Sequence, residues 1–149
     1  MKILLSLLSL VSLSAFAMPT IGDYVKLVGF ADNNNISIEY EITNYDSTKD
    51  LFEVTQSTTY GNQTSQIDQS WMGRDDLIND QQVQDTLANC ASLGGTSETI
   101  STKVGEFETC NILDQSSQTM INVGKVPFGT VKIIYGGLEL LVDSFKFGN

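Results

Sequence analysis

The chain has 149 residues, with 18 acidic and 8 basic side chains and a formal net charge of −10 at pH 7. So acidic a surface repels nucleic acid and anionic lipid, because both require clustered lysine and arginine. The sequence also contains no histidine, which removes the commonest general base, the usual nucleophilic pairs and most transition-metal ligand sets. We therefore expect a protein that is not an enzyme, has no metal or other cofactor and does not bind nucleic acid.

The first 17 residues have the pattern of a cleavable signal peptide. Lys2 precedes an apolar run over residues 3–13, and Ala15-Phe16-Ala17 has the small-x-small form that signal peptidase recognises. The run is too short to span a bilayer, which takes about 20 residues. We expect cleavage before Met18, and residues 18–149 to form a single β-rich domain that is periplasmic or secreted and not membrane-spanning.

The first half of this domain predicts four strands, over residues 24–31, 36–43, 51–60 and 64–72. Ile36, Ile38, Tyr40 and Ile42 alternate strictly with polar residues, which is typical of an antiparallel strand with one buried face. Gly61-Asn62 fits a two-residue hairpin turn. The strand over 64–72 is mostly polar, so we place it near a sheet edge or along a water-facing groove.

A change of period then predicts one helix, over about residues 80–93. Asn79 and Gln82 have the spacing of a capping box. Val83, Leu87, Cys90 and Ala91 recur at helical spacing, and Gly94-Gly95 is suited to ending a helix. The resulting apolar stripe is narrow, so we expect the helix to lie on the sheet by one face.

The second half returns to strands, over residues 96–103, 107–113, 118–123, 130–135 and 138–147. Gly136-Gly137 indicates another tight hairpin. The predicted class is therefore mainly β (α+β): a curved antiparallel sheet or half-open barrel of about 8–9 strands, with one mid-chain helix.

Cys90 and Cys110 are the two cysteines of the chain. In an exported protein an isolated pair is most simply a disulfide. The alternative is a reactive thiol, but neither cysteine has a neighbouring histidine or cationic cluster to lower its pKa. We predict a bridge that joins the helix to the strand carrying Cys110.

Aromatic and charged residues near the polar strand suggest a ligand groove. Trp71 and Tyr60 either line such a groove or simply cap the core, and Arg74 either clamps a ligand carboxylate or pairs with Asp75 or Asp76. The candidate groove-lining residues are Tyr40, Tyr60, Trp71 and Arg74.

The acidic residues do not form a recognisable catalytic or metal motif. The pairs Glu39/Glu41 and Glu106/Glu108 each fall on one face of a strand, which is typical of solubilising charge. The acidic and amide clusters at residues 32–35 and 46–50 lack the spacing of a calcium loop. Turn formation by Asn and Asp explains these two clusters better.

Four short stretches carry a resemblance: residues 21–25 (IGDYV), 89–95 (NCASLGG) with 98–100 (ETI), 105–110 (GEFETC) and 126–132 (VPFGTVK). Together they resemble a group of uncharacterised exported bacterial proteins, distantly similar to the periplasmic lipoprotein carriers (LolA/LolB-like). The resemblance implies a half-open antiparallel barrel with a concave apolar face for an acyl chain or hydrophobic peptide. It implies no catalytic residues.

These observations favour a non-enzymatic exported binding or envelope-associated module, with an unknown protein or a hydrophobic ligand as partner. The alternative is a carrier or sensor that holds a hydrophobic ligand, such as an acyl chain or a lipoprotein, in the concave face of the sheet. An apolar cavity above about 300 Å³ favours the carrier, and a filled core favours the first reading. The third hypothesis is a carboxylate-based hydrolase. It requires two acidic groups that converge in a cleft, and the sequence offers no evidence of such a pair.

Overall fold

A computed structural model describes residues 18–149, without the side chains of Ser65 and Gln66. The predicted signal peptide, residues 1–17, lies outside the described residues. The described chain forms nine strands, one α-helix and two short 3₁₀ turns, Arg74–Asp76 and Pro127–Gly129. The strands and the helix are β1 (Tyr24–Ala31), β2 (Asn34–Asp46), β3 (Leu51–Tyr60), β4 (Gln63–Gly73), α1 (Asp80–Ala88), β5 (Thr96–Thr102), β6 (Gly105–Asp114), β7 (Thr119–Val123), β8 (Thr130–Tyr135) and β9 (Leu138–Lys146).

All nine strands belong to one antiparallel sheet, in the order β4-β3-β2-β1-β9-β8-β7-β6-β5. Strands that follow one another in sequence pair as hairpins, except that α1 separates β4 from β5 and that the first strand pairs with the last. The sheet does not close, so β4 and β5 are its two edges. It curves strongly, since β5 contacts β9 across three intervening strands. This architecture confirms the predicted fold class.

The apolar residues that alternate in β2 share one face, as the sequence predicts, with Ile42 buried and the others half-buried against the core. Leu27 of β1 pairs with Ile38, and Val25 pairs with Tyr40. Val25 and Leu27 have no exposed surface, and Ile42 has almost none. On the opposite face of the sheet, Lys26 forms a salt bridge of 2.6 Å with Glu39.

Two hydrophobic clusters make up the core. The larger one contains buried residues of β1, β8 and β9 together with Val126. The smaller one contains Ile42, Phe52, Val54 and Leu77. The half-buried Phe128 packs against both clusters, so it joins the two halves of the sheet.

The helix begins at the predicted residue and its regular part ends earlier than predicted. The Asn79 side chain accepts a hydrogen bond from the Gln82 backbone N–H, and the Gln82 side chain accepts one from the Asn79 N–H. Asn89 leaves helical geometry, and further turns carry the chain to Gly95, whose N–H donates to the carbonyl of Cys90. These turns lead Cys90 towards its partner.

Cys90 and Cys110 form the predicted disulfide, with their Cα atoms 5.6 Å apart. Both cysteines are buried. Gly95 packs directly over the bridge, since a Cβ atom at this position would lie 2.6 Å from the Cys110 sulfur. The helix, which contacts β6 and β7, is thereby fixed to β6.

The two ends of the described chain are fastened to each other by Asp23. One carboxylate oxygen accepts the N–H of Gly148 at 2.7 Å, and the other accepts the N–H of Thr20 at 2.9 Å. Gly148 also lies against Ile21, where a Cβ atom would come 2.3 Å from the carbonyl oxygen. The segments that flank β1 and β9 are therefore fixed beside the central strand pair.

Loss of the disulfide should destabilise the fold by about 3 kcal/mol, because the bridge restricts the unfolded chain across a sequence separation of 20 residues. We expect Cys90→Ser and Cys110→Ser to lower the free energy of unfolding by similar amounts. The double variant should resemble each single variant, because the same bond is lost only once. Urea unfolding of the three variants and the oxidised parent measures this, and additive effects in the double variant would contradict it.

Candidate functional site

A groove of about 500 Å³ lies between the β3–β4 edge of the sheet and β7. Its apolar lining includes Tyr40, Val54, Met72, Ile78, Ile121 and Phe128. Residues 74–79 cross its rim as the connection from β4 to α1, and we call this segment the strap. The groove thus occupies the space that the unclosed sheet leaves between its two halves.

The floor of the groove is a strained aromatic residue. Phe128 has φ = 60°, a left-handed conformation that costs a bulky residue roughly 1–2 kcal/mol. Its ring lies 5.7 Å from that of Tyr40, measured between centroids. Strain of this kind persists only where surrounding contacts impose it, and it is concentrated at functional sites.

Gly129 brings the strap close to this floor. Its φ is also positive, and a Cβ atom there would lie 2.8 Å from the side chain of Ile78. Ile78 packs on the glycine, while the adjacent Leu77 is buried in the smaller cluster. Phe128 and Gly129 therefore form a tight corner that holds one wall of the groove.

The polar residues that line the groove are neutral or acidic. Gln56 pairs across the sheet with Asp68, and Val54 pairs with Ser70. Asp68, Asp76, Gln56, Ser70 and Thr130 are the polar side chains among the described lining residues, which include no lysine or arginine. Burial raises the pKa of Tyr40, so its phenol is neutral at physiological pH. The site therefore disfavours an anionic ligand group.

Of the four predicted groove residues, the structure places only Tyr40 in the groove. Tyr60 lies at the β3–β4 hairpin, where its hydroxyl accepts a hydrogen bond of 3.1 Å from Asn34. Trp71 pairs with Glu53, and it alternates with Ser70 and Met72, which line the groove. The indole is thus on the opposite face of β4 and is about half exposed.

Arg74 lies outside the groove and anchors the strap. Its guanidinium donates two hydrogen bonds to Asp50, at 2.8 and 3.3 Å, and lies over the rings of Tyr45 and Phe52. The arginine hydrogen bond lowers the pKa of the Asp50 carboxyl. The ion pair therefore joins the strap to the β2–β3 turn, whereas the sequence suggested Asp75 or Asp76 as the partner.

Sequence reasoning missed most of the groove lining. Val54 and Met72 come from one half of the sheet, Ile121 from the other, and Ile78 and Phe128 from connecting segments. Pro127-Phe128-Gly129 was a visible signal, since Pro and Gly indicate a tight corner. The pairing of distant elements around this corner had no local signal.

The acidic cluster at residues 46–50 has a structural role. Asp46 accepts hydrogen bonds from both the backbone N–H and the hydroxyl of Thr48, at 2.9 and 2.6 Å, which confirms turn formation there. Among residues 18–149 no group of three or more His, Cys, Asp or Glu side chains is arranged to hold a metal ion. The same part of the chain contains no helix long and apolar enough to cross a membrane.

A polar cluster spans strands β5, β6 and β7, and none of its residues lines the groove. The fully buried Asn122 donates to Glu98 at 2.6 Å and to the hydroxyl of Thr109 at 3.0 Å. Asn111 donates to the same Glu98 oxygen at 2.9 Å. The hydrogen bond from Asn122 is the largest influence on Glu98 and lowers its pKa. This cluster links three adjacent strands.

No family model matches the chain, and no curated protein or solved structure matches it. What the groove can hold therefore depends on its own geometry and charge.

The Glu98 cluster should make stability dependent on pH. The folded pKa of Glu98 is below its ordinary value of 4.5, so its contribution is present above that pH and is lost as the pH falls through the folded value. We expect Glu98→Gln to lower the free energy of unfolding at pH 7, and the difference from the parent to shrink at pH 3.

Urea unfolding at the two pH values tests this, with Glu108→Gln as a control at an exposed carboxylate. An equal loss from Glu98→Gln at both pH values would show that the carboxylate charge is irrelevant to the cluster.

Proposed function

We propose that this protein is a non-enzymatic, exported binding protein that holds a hydrophobic ligand in the groove between the two halves of its sheet. The observation that carries the proposal is the groove itself. Its volume of about 500 Å³ falls within the range of roughly 300–1,000 Å³ typical of small-molecule sites. Its mainly apolar walls are suited to a hydrocarbon or aromatic group.

The export part of the proposal is supported by the disulfide and by the N-terminal sequence. A bridge buried in the core fits an oxidising compartment. Residues 1–17 have the pattern of a secretory signal. Together these features favour a periplasmic or secreted protein.

The binding part is supported by the way the groove is built. A hydrophobic side chain held in a strained conformation forms its floor, and the buried Leu77 and the Arg74–Asp50 ion pair fix its strap. A preformed cavity loses less conformational entropy on binding than one that must be created. The groove is therefore prepared for a ligand.

The acidic residues in the lining favour a neutral or cationic ligand end. Asp68 and Asp76 are among the lining residues, and the described lining includes no lysine or arginine. The Asp76 carboxylate also accepts a hydrogen bond of 3.1 Å from the Gly73 N–H. The chain as a whole is strongly acidic, which adds to the repulsion of anions. A fatty alcohol or an alkyl ammonium suits the site better than a fatty acid.

Filling the groove should weaken the binding of an apolar probe. We expect the neutral dye N-phenyl-1-naphthylamine to fluoresce on binding the parent protein. Ile121→Trp should weaken its binding at least about tenfold, because the larger side chain occupies the groove and displaces the dye. Leu113→Trp, at an exposed position on the neighbouring strand, is the matched control and should bind like the parent. Equal binding by both variants would place the dye elsewhere.

The ligand end should be selected by charge. Among C12 competitors, we expect dodecyltrimethylammonium and dodecanol to displace the dye a few-fold better than laurate, since exposed charges have modest effects. Asp68→Asn combined with Asp76→Asn should reduce the difference, and so should 1 M salt, at which the Debye length is about 3 Å. A preference for laurate in the parent would contradict the proposed ligand class.

A further inference from the structure

Strand β4 is an unprotected sheet edge. It runs over Gln63–Gly73 and pairs with β3, and within residues 18–149 no strand pairs with its other side. Such an edge presents a row of backbone donors and acceptors, which proteins normally blunt with proline, lysine or a covering segment. The β4 sequence contains no proline and no lysine, and Asp68 is its single charged residue.

The outward face of β4 carries two large exposed apolar side chains. Ile67 is 66% exposed and Trp71 is 49% exposed. They lie two residues on either side of Gln69, on the face opposite the groove. The other sheet edge, β5, differs because the curvature of the sheet brings it against β9, where Lys103 also pairs with Asp143.

We propose that β4 pairs antiparallel with β4 of a second copy of this chain, about a two-fold axis at Gln69. This register places Ile67 opposite Trp71 of the second copy, and the symmetry creates the same pair twice. Aromatic and β-branched residues directly opposite one another are among the stabilising cross-strand pairs. A self-complementary patch is also what a two-fold interface requires.

The charge pattern selects this register over its neighbours. With the axis at Gln69, Asp68 faces Ser70 of the second copy, so the carboxylate meets a hydroxyl. An axis at Asp68 would set two carboxylates face to face, which is unfavourable. An axis at Ser70 would instead set Ile67 against Gly73 and lose both apolar pairs. The single charge of β4 is thus compatible with self-association in one register.

The dimer extends the sheet without blocking the groove. With the axis perpendicular to the sheet, both copies keep Asp68, Ser70 and Met72 on the same side, so the two grooves open on one face of a continuous sheet. The net negative charge of each chain opposes association, and screening should therefore strengthen the dimer as salt rises.

Sedimentation equilibrium and Trp71 fluorescence test association together. Trp71 is the sole tryptophan, so we expect its emission to shift to shorter wavelength over the same concentration range in which dimer forms. Ile67→Asp should weaken the dimer at least about tenfold, because it removes both apolar pairs. Phe30→Asp is the matched control, since Phe30 is 63% exposed on β1 and the change in charge is the same.

Cysteine cross-linking tests the register. Opposite residues of an antiparallel pair have Cα atoms about 4.5–5.5 Å apart, within disulfide reach. Gln69→Cys should therefore cross-link to itself on mild oxidation, and a mixture of Ile67→Cys with Trp71→Cys should cross-link as a heterodimer. Ile67→Cys alone should not cross-link to itself. In this register the two copies of residue 67 are offset by four residues along the strands, about 13 Å. Peptide mapping without reduction distinguishes these bonds from Cys90–Cys110.

Three results would overturn the proposal. The first is a protein that stays monomeric at every concentration and salt tested. The second is a dimer that Ile67→Asp and Phe30→Asp weaken equally, which would place the interface away from β4. The third is cross-linking of Ile67→Cys alone as efficient as that of Gln69→Cys, which would contradict the register.

Discussion

The ring of Phe128 is the contact on which the two halves of the molecule depend. It packs against both hydrophobic clusters and lies beside Tyr40, so each half of the sheet is positioned relative to the other through this side chain. The backbone accepts a left-handed conformation at this residue, which shows that the packing of the ring outweighs the local strain. The same ring forms the floor of the groove, and stability and the proposed binding site therefore share one residue.

The groove exists because the sheet curves without closing. A closed barrel of this length would pair β4 with β5 and would surround its core with strands on every side. Here the strap and α1 connect the two halves across this opening, with the disulfide fixing the helix region on one side and Arg74 fixing the strap on the other. The ion pair lies near the start of the β4–β5 connection and the disulfide near its end. Together these two contacts hold the apolar walls of the groove apart.

Local patterns were sufficient to predict the strands and not their assembly. Ile36, Ile38, Tyr40 and Ile42 alternate clearly, and the β2 strand and its buried face follow from that alternation. Trp71 lies in a strand with polar residues on both faces, so its sequence context did not indicate which face its indole takes. Met72 and Ile121 line the same groove although they are almost fifty positions apart in the chain. Their proximity depends on the order of the strands in the sheet, which hydrophobic periodicity does not encode. The pairing of Arg74 with Asp50 also had no local signal, because Asp50 lies in a turn 24 residues away in the sequence.

The pairing of β1 with β9 has a consequence for the timing of folding. These strands lie at opposite ends of the domain in sequence and side by side at the centre of the sheet. Pairing of these two strands requires closure of a loop that spans almost the whole domain, and the closure of so long a loop is entropically costly. A nascent chain also lacks its central strand pair until the last strand has been synthesised. The half of the sheet formed by β1–β4 and the half formed by β5–β9 are therefore joined only after the last strand has been made.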